Sequence, residues 1–254
     1  MLDHLSKIIS KNQISTNIYD MWLDCPQIAF DAIPMQFVNI KCEGFTLRRP
    51  ISICEIDKAN GRIRIVFEVR GEGTAWLAKQ NVDDSILILA PLGNGIEITD
   101  NTQNIVLVGG GIGVPPLLEM AKQYKNKATV IIGFRNKNVM ILQDDFKAFG
   151  ANVLLATDDG SAGHHGLVTE LLIRHLEQNK ADKIIACGPR PMLKAVSNEA
   201  KKHGIECLVS MEERMACGVG ACLCCATKVI ENGKEQYQHV CKHGPIFDAE
   251  KIVW

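Results

Sequence analysis

Four cysteines near the end of the chain have the spacing of a metal-binding site. Cys217, Cys222 and Cys225 follow the pattern C-x4-C-x2-C, and Cys241 stands in a separate segment further on. Three thiolates from one tight loop and a fourth from a later segment are typical of a plant-type [2Fe–2S] cluster. Glycines between the first two cysteines leave room for the loop to curl, so that backbone N–H groups can point at the sulfurs. The spacing therefore predicts an iron–sulfur centre with these four ligands.

Two other uses of the same thiols have to be considered. Structural zinc sites usually combine two C-x2–4-C pairs, whereas Cys241 has no cysteine close to it in the chain. A disulfide framework is typical of short secreted proteins, and the first residues lack the apolar core of a signal peptide. Cys224 is interpreted as a small loop residue, with exchange with Cys225 as a minor alternative. The iron–sulfur interpretation is favoured over zinc.

The composition indicates a protein that handles small molecules. The chain has 254 residues and a formal net charge of −1, so it is too long for a ferredoxin-sized module and has no electrostatic signature of nucleic-acid or membrane binding. The longest apolar stretch, residues 105–118, is interrupted by glycines and prolines and is too short to span a bilayer. We expect a soluble, cytoplasmic protein with no nucleic-acid and no membrane partner. In a reducing compartment the other cysteines are expected to be buried free thiols. These are Cys25, Cys42, Cys54, Cys187 and Cys207.

Residues 14–89 predict a small antiparallel β-barrel. Short runs of alternating apolar and polar residues are separated by turn residues, and Asn60-Gly61 is a hairpin signal between two of them. The runs lie at 37–41, 51–56, 62–69 and 85–89. Many short strands at this spacing favour a barrel.

Two segments of this barrel have residues suited to a diphosphate. Arg49 and Ser52 place a guanidinium and a hydroxyl three residues apart at the start of a strand, where an arginine fork could bind phosphate oxygens. Gly73 and Thr74 lie in a glycine turn that leads into a helical pattern, and such turns offer free N–H groups to anions. Each signal is weak by itself, because exposed arginines are usually solvated and such turns are often plain helix starts.

The middle of the chain predicts a doubly wound parallel sheet. Buried strands at 104–108, 128–132, 152–156 and 183–187 alternate with helical patterns. The first strand is followed by a glycine-rich turn, where such sheets bind a nucleotide diphosphate. Its glycines are Gly109, Gly110, Gly111 and Gly113. The match to G-x-G-x-x-G is incomplete, because Val114 occupies the third glycine position.

Two further turns belong to the carboxyl edge of this sheet. Gly188 follows the last of these strands and precedes a proline and a new helical pattern, which places the turn where ligands bind. The polar turn 158–163 ends another strand, and a plain solvated turn is an equal alternative there. His164 and His165 follow it, and the sequence assigns them no role.

Taken together, these motifs resemble the ferredoxin–NADP reductase superfamily. The segment Arg49-Pro50-Ile51-Ser52 is similar to its flavin motif, Gly73-Thr74 to its pyrophosphate turn, residues 109–116 to its nucleotide loop, and Cys187-Gly188-Pro189 to its nicotinamide-side turn. Ile51 replaces the tyrosine that normally packs on the flavin ring, so stacking there has to come from another residue or be absent.

Over nearly the whole chain, the order of motifs resembles one family in that superfamily, the electron-transfer subunits of NAD-dependent dihydroorotate dehydrogenases. Residues 157–161 and 211–215 and the four cysteines carry this resemblance. Met35, where the family usually has glycine, and Cys224 depart from the pattern, and neither is a ligand position.

The resemblance implies a fold of three domains and a set of cofactor contacts. The domains would be a flavin-binding barrel at 1–100, an NAD-binding α/β domain at 101–210 and a small [2Fe–2S] domain at 211–254. The resemblance implies that NAD lies across Gly109–Gly113 and Gly188 and that no side chain acts as a catalytic acid or base. It implies FAD contacts at Arg49, Pro50, Ile51, Ser52, Val66, Phe67, Glu68, Gly73 and Thr74.

The function implied by the resemblance is electron transfer in pyrimidine biosynthesis. Electrons would pass from a separate, FMN-bearing catalytic subunit through the cluster and FAD to NAD⁺, in a heterotetramer of two plus two chains. A related reductase that serves ferredoxin, a hydrogenase or an oxygenase would have the same motifs. A non-catalytic nucleotide-binding protein with a zinc tail is the alternative from another class. Arg135 and Lys137 leave NADP open as the nucleotide, although the resemblance favours NAD.

Overall fold

A computed structural model describes residues 3–254, and its first part is a closed six-stranded barrel. The strands are joined in the order β1-β2-β5-β4-β3-β6, and every neighbouring pair is antiparallel. Two short helices, α1 and α2, follow the second and fifth strands. The elements are β1 (Asp3–Ser15), β2 (Ile18–Asp24), α1 (Pro26–Asp31), β3 (Phe37–Ile40), β4 (Arg49–Asp57), β5 (Arg62–Glu68), α2 (Glu72–Lys79) and β6 (Ser85–Leu92).

Strand β6 shows how the barrel builds its core. Every second residue from Ile86 to Leu92 is buried, and the residues between them are half-buried. This period of two directs one set of side chains into the barrel core. The core is completed by buried residues such as Met21 and Ile65 from neighbouring strands. The predicted barrel is confirmed, and its first strand begins at Asp3, ahead of the alternating runs that start at residue 14.

The second part consists of parallel strands with helices on both sides. Its central strands are buried almost continuously, and all six residues of the first strand are buried, as is usual where helices cover both faces of a sheet. The elements are β7 (Ile105–Gly110), α3 (Leu117–Tyr124), β8 (Ala128–Phe134), α4 (Gln143–Ala148), β9 (Asn152–Thr157), β10 (His164–His165), α5 (Val168–Gln178), β11 (Lys183–Cys187), α6 (Arg190–Lys202) and β12 (Glu206–Ser210). The predicted doubly wound sheet is confirmed.

The C-terminal part contains the cysteine loop and a hairpin. It comprises β13 (Ala226–Glu231), β14 (Lys234–His239), α7 (Val240–His243) and β15 (Ile246–Asp248). The last strand joins the central sheet, whose order is β10-β9-β8-β7-β11-β12-β15, and it is the sheet's one antiparallel member. The domain boundaries near residues 100 and 210 stay a prediction, because this part shares a sheet with the preceding one.

A network of charged side chains joins the barrel to the central sheet. The guanidinium of Arg64 on β5 binds both carboxylate oxygens of Asp20 at 2.9 Å. It also lies 3.4 Å from Glu55 and 2.5 Å from Asp145, which belongs to α4. The Arg64 side chain is only 10% exposed, so these carboxylates compensate a charge that is largely removed from water.

Helix α3 makes a second set of polar contacts with the barrel. Glu119 is buried, and its carboxylate accepts a hydrogen bond of 2.8 Å from the N–H of Ile56 on β4. Lys122, one turn later, donates to the carbonyl of Ile56 at 2.8 Å and lies 3.1 Å from Glu55. The barrel and the central sheet are therefore held together by directional contacts as well as by apolar packing.

The cysteines outside the loop behave as the composition predicts. Cys25, Cys42, Cys54, Cys187 and Cys207 are all buried free thiols. Burial raises the pKa of Cys25, of Cys187 and of Cys207 to about 12, so these thiols stay protonated and unreactive. Among residues 3–254, no helix is long and apolar enough to cross a membrane.

Candidate functional site

A cleft lies where the barrel, the central sheet and the C-terminal part meet. One wall comes from β4 and β5, and a second from the turn after β7, which includes Ile112 and Pro115. The segment 210–215 after β12 forms a third wall, and Val240 and Pro245 from the C-terminal part close the cleft. All three parts of the chain thus face one space, which is the arrangement that a shared cofactor requires.

The predicted flavin residues converge on this cleft. The lining includes Arg49, Pro50, Ile51, Ser52, Val66, Phe67, Glu68 and Thr74. A guanidinium at one end and apolar side chains along the walls suit a ligand with a diphosphate and an aromatic ring system. The chemistry of the lining residues therefore fits FAD.

The backbone of Gly73 packs against the guanidinium of Arg49. A Cβ atom at this glycine would collide with the Arg49 guanidinium, whose centre lies 5.4 Å from the ring centroid of Phe45. The guanidinium also donates to the carbonyl of Leu47. These contacts place the arginine at the edge of the cleft, and its guanidinium would have to move if residue 73 had a side chain.

Replacing Gly73 by alanine is expected to weaken FAD binding roughly ten- to a hundredfold. The new methyl group would displace the Arg49 guanidinium, and hydrogen bonds to charged groups contribute about 1.5–3 kcal/mol. The measurement is the dissociation constant of FAD, obtained by titrating the flavin-depleted protein. Gly71→Ala is the matched control, because position 71 has extended backbone and no atoms within 4 Å of a new Cβ. Unchanged FAD affinity in Gly73→Ala would contradict the assignment.

Thr74 orders the turn that carries Gly73. Its hydroxyl oxygen accepts hydrogen bonds from the N–H groups of Arg70 at 3.0 Å and Gly71 at 3.2 Å, and the hydroxyl donates to the Gly71 carbonyl at 3.0 Å. The contact with the Gly71 N–H is one half of a capping box, in which the third helical residue binds the N-cap backbone. The N–H groups of residues 70 and 71 are thus used within the protein, so Thr74 shapes the turn as well as lining the cleft.

Two glycine turns of the central sheet lie against each other. A Cβ atom at Gly113 would stand 2.5 Å from the Cys187 carbonyl and 2.6 Å from the Cα atom of Gly188. A Cβ atom at Gly188 would stand 3.0 Å from the N atom of Gly110. The structure therefore brings these predicted nucleotide residues together at the carboxyl edge of the sheet, where such sheets bind nucleotides.

Gly109 and Gly111, the other two glycines at the turn after β7, have different roles. A Cβ atom at Gly109 would stand 2.9 Å from Val114, which is fully buried, so the close packing of strand and helix accounts for both residues. Gly111 has φ +54° and open space around it. The valine that interrupts the G-x-G-x-x-G pattern is thus a packing residue, and the turn keeps an open backbone toward solvent.

The sequence interpretation missed the segment that forms the third wall of the cleft. Residues 211–215 carry part of the family resemblance, but nothing in their spacing shows where the end of β12 points, so the sequence alone does not place them at the site. Glu212 is exposed to the open cleft and stands among the walls that line it. Desolvation by these walls raises the pKa of the Glu212 carboxyl, and the Arg70 guanidinium opposes the rise. This group stays protonated to a higher pH than a free carboxyl and can donate a hydrogen bond to a ligand.

The cysteine loop directs its backbone N–H groups at sulfur. The Sγ atom of Cys217 accepts from the N–H groups of Val219 at 3.4 Å, Ala221 at 3.3 Å and Cys222 at 3.4 Å. The Sγ atom of Cys241 accepts from the N–H of Gly220 at 3.1 Å. Such donors stabilise negative charge on thiolates, so the loop fits an anionic iron–sulfur cluster.

The two predicted ligand segments approach each other at Cys225 and Cys241. Both side chains are buried, and their sulfurs lie 3.2 Å apart. Burial and the neighbouring Cys225 raise the pKa of Cys241 to about 12. At Cys217 burial acts in the same direction, but the converging N–H groups prevail and lower the pKa to about 6. The loop therefore favours the thiolate form at its first cysteine.

Outside the cleft, the sequence singles out a metal-ligand set, the odd cysteine Cys224 and the histidine His164. Residues 3–254 contain no group of three or more His, Cys, Asp or Glu side chains placed to hold a metal ion, so the four-cysteine ligand set stays a prediction. Cys224 is exposed. The His164 Nε2 atom lies 2.8 Å from a carboxylate oxygen of Glu170, so this histidine has a partner within the protein.

Two segments of the chain match models of known protein families. Residues 212–253 match the iron–sulfur cluster binding domain of dihydroorotate dehydrogenase B. Residues 107–198 match the oxidoreductase NAD-binding domain. The first match covers the cysteine loop and all four predicted ligands, and the second covers both glycine turns of the central sheet.

Curated proteins resemble the chain over nearly its whole length. The protein from Desulforamulus reducens named dihydroorotate dehydrogenase B (NAD(+)), electron transfer subunit, is 37% identical over 98% of this chain and 97% of its own. Proteins of the same name are 39% identical in Fusobacterium nucleatum, over 94% of each chain, and in Geobacillus kaustophilus, over 97% of this chain and 96% of its own.

Solved structures share the fold. A chain in the structure of an NADH-dependent reduced ferredoxin–NADP oxidoreductase has a TM-score of 0.88 and 33% identity, covering 99% of this chain and 90% of that one. A ferredoxin–NADP⁺ reductase from Neisseria gonorrhoeae, solved with FAD and NADP, has a TM-score of 0.65 over 80% of this chain and 92% of its own. At 16% identity, the second likeness shows the fold alone.

Proposed function

The chain belongs to the electron-transfer subunits of dihydroorotate dehydrogenase B, and from this we propose that it passes electrons from a dihydroorotate-oxidising subunit to NAD⁺. The electrons pass through a [2Fe–2S] cluster and FAD, and the reaction belongs to pyrimidine biosynthesis. The chain is thus one component of an oxidoreductase, and dihydroorotate, the metabolite that is oxidised, binds to the other subunit.

The observation that carries this proposal is the shared cleft. Strand β4, the nucleotide-side turn at Ile112 and the cluster-side residues Val240 and Pro245 all line it. A flavin in this cleft would contact the part that binds NAD and the part that carries the cysteines. Since nicotinamides exchange two electrons and iron–sulfur clusters one, flavin supplies the conversion between them when bound.

The residues of the chain bind and orient the cofactors. For FAD, Arg49 and the turn at Gly73 and Thr74 hold the diphosphate, while Pro50, Ile51, Ser52, Val66, Phe67 and Glu68 border the rest of the molecule. For NAD, the contacts come from the two glycine turns, in which Gly111 leaves the backbone open for close approach and the other glycines let the turns pack against each other and against the following helices. These residues are Gly109, Gly110, Gly111, Gly113 and Gly188. For the cluster, the ligands are Cys217, Cys222, Cys225 and Cys241. No side chain of this chain acts as a general acid or base on dihydroorotate.

The partner is a catalytic subunit with its own FMN, and the complex is a cytoplasmic heterotetramer of two plus two chains. The names of the relatives support a catalytic partner, since each is called an electron-transfer subunit. The stoichiometry is implied by the family resemblance in the sequence motifs, and the cytoplasmic compartment is the expectation from the apolar pattern of the sequence.

The proposed function is tested by reconstitution with the catalytic subunit. We expect the purified chain to contain FAD and about two irons, as a [2Fe–2S] cluster requires. We also expect it to allow the catalytic subunit to reduce NAD⁺ with dihydroorotate. The measurement is NADH formation with and without the chain, after analysis of flavin and iron. Absence of both cofactors, or no NADH formation by the mixture, would contradict the proposal.

A reductase that serves ferredoxin is the second candidate function. It is favoured by the likeness to the chain from the NADH-dependent reduced ferredoxin–NADP oxidoreductase, which covers 99% of this chain at 33% identity. The two functions differ in the partner subunit and share fold and cofactors. Purifying the chain with its natural partner and identifying the partner's cofactors distinguishes them, because the first function requires a subunit that oxidises dihydroorotate.

A further inference from the structure

Asn39 lies between the flavin cleft and the cysteine loop. It is two residues after Phe37, which lines the cleft, on the short strand β3. Within the barrel it pairs with Pro50 of the predicted flavin segment on one side and with Leu89 on the other. Two residues of a strand span roughly 7 Å, so Asn39 belongs to a strand that borders both predicted cofactor sites.

The side chain of Asn39 contacts the first ligand segment. Its amide Nδ2 atom donates to the carbonyl oxygen of Cys217 at 3.5 Å. A Cβ atom at Gly218 would stand 2.7 Å from the same nitrogen and 3.2 Å from Leu92. Gly218 has φ +75°, a conformation suited to glycine. The loop therefore approaches the barrel closely at this point, and the asparagine is the polar group that it meets.

Packing alone does not explain why an asparagine is placed there. Asn39 has no exposed surface, and within residues 3–254 its Oδ1 atom has no hydrogen-bond partner. Burying an amide oxygen without a partner is unfavourable, and an apolar side chain of similar size avoids that cost. Turning the amide over would place Oδ1 against the Cys217 carbonyl, and two acceptors would then face each other. The amide is therefore explained by the contact that its N–H group makes.

We propose that Asn39 is a positioning residue for the [2Fe–2S] cluster: it holds the Cys217 carbonyl so that the loop's N–H groups stay directed at the thiolates. This inference rests on the proposed ligand set. Three of those N–H groups converge on the Cys217 sulfur at 3.3–3.4 Å, and they belong to the residues that follow the anchored carbonyl.

The expected consequence is a change in the reduction potential of the cluster. Reduction adds one negative charge, and hydrogen bonds to the sulfurs stabilise that charge. If the Cys217 carbonyl is released, the N–H groups that follow are held less firmly, so reduction becomes less favourable. The potential of FAD is expected to stay the same, because the flavin-side strands are unchanged.

The test is Asn39→Leu in the full chain, purified anaerobically with its cofactors. We expect unchanged FAD and iron content, a thermal midpoint no lower than that of the unaltered chain, and a cluster reduction equilibrium shifted about three- to tenfold toward the oxidised form. At 59 mV per tenfold change for one electron, the midpoint moves by roughly 30–60 mV to more negative values. The readouts are a potentiometric titration and the electron paramagnetic resonance spectrum of the reduced cluster.

Two further variants complete the test. Asn39→Ala removes the amide without adding bulk, and the same shift in the cluster potential is expected. This variant replaces Asn39→Leu in the test if leucine disturbs folding. Ser6→Ala removes a buried hydroxyl from β1 of the same barrel and should leave the cluster potential unchanged. An unchanged potential and spectrum in both Asn39 variants would overturn the positioning role and leave the proposed function standing. An unaltered chain without iron would overturn both, so the two failures are distinguishable.

Discussion

Replacing Cys222 by serine is expected to remove most of the iron and acid-labile sulfide while FAD stays bound. Serine keeps the size of the side chain and the backbone N–H that donates to the Cys217 sulfur at 3.4 Å, so the loop geometry is preserved and only the thiolate is lost. Loss of residues that merely support metal ligands costs about 10–100-fold. Loss of a ligand should therefore lower NAD⁺ reduction by dihydroorotate by about a hundredfold or more. FAD is retained, because Cys222 does not border the flavin cleft.

Cys224→Ser is the matched control for this experiment. Cys224 is exposed, two residues after Cys222 in the same loop, and its replacement should leave iron content and activity unchanged. Cys225 is the better ligand candidate of the adjacent pair, because it is buried and its sulfur lies 3.2 Å from that of Cys241. Loss of iron in Cys224→Ser with iron retained in Cys222→Ser would show that the ligand assignment is wrong.

The periodic parts of the fold were predictable from the sequence. The alternating runs became β3, β4, β5 and β6, and the continuous apolar runs became the parallel strands β7, β8, β9 and β11. Each pattern shows which faces of a strand are covered by the rest of the protein, and it can be seen in the residues of that strand alone. Sequence-local motifs such as Arg49–Ser52 could likewise be located, since their residues are neighbours in the chain.

Features that depend on distant contacts were not predictable. Glu212 follows β12, and only the placement of that strand beside β11 turns it toward the cleft. Met35, where the family usually has glycine, has φ +70° and a fully buried side chain. A positive φ suits glycine, which explains why relatives have a glycine at this position. The methionine side chain is buried here and contributes apolar burial that a glycine lacks. Neither the conformation nor the burial can be derived from neighbouring residues.

The charged network at Arg64 also depends on residues that are distant in the chain. Its disruption is expected to have the second large effect, a loss of stability. Arg64→Met should destabilise the chain by about 3–5 kcal/mol, because removing one partner leaves the carboxylates of Asp20, Glu55 and Asp145 close together without their cation. Burial acts to lower the pKa of Arg64, but hydrogen bonds to Asp20 and Asp145 raise it above its usual value. The guanidinium therefore stays charged and compensates these carboxylates.

For a chain of this size, such a loss lowers the thermal midpoint by roughly 10 °C, which scanning calorimetry of the protein with its cofactors measures directly. Arg62→Met is the control: it removes an arginine from the same strand, but this side chain is 40% exposed, forms its ion pair with one carboxylate, Asp57, and lies over the Trp22 ring. A change within about 1 kcal/mol is therefore expected. Adding Asp20→Asn to Arg64→Met should restore part of the stability, because one uncompensated charge is removed. Equal midpoints for the Arg64 and Arg62 variants would show that the network does not stabilise the junction between barrel and sheet.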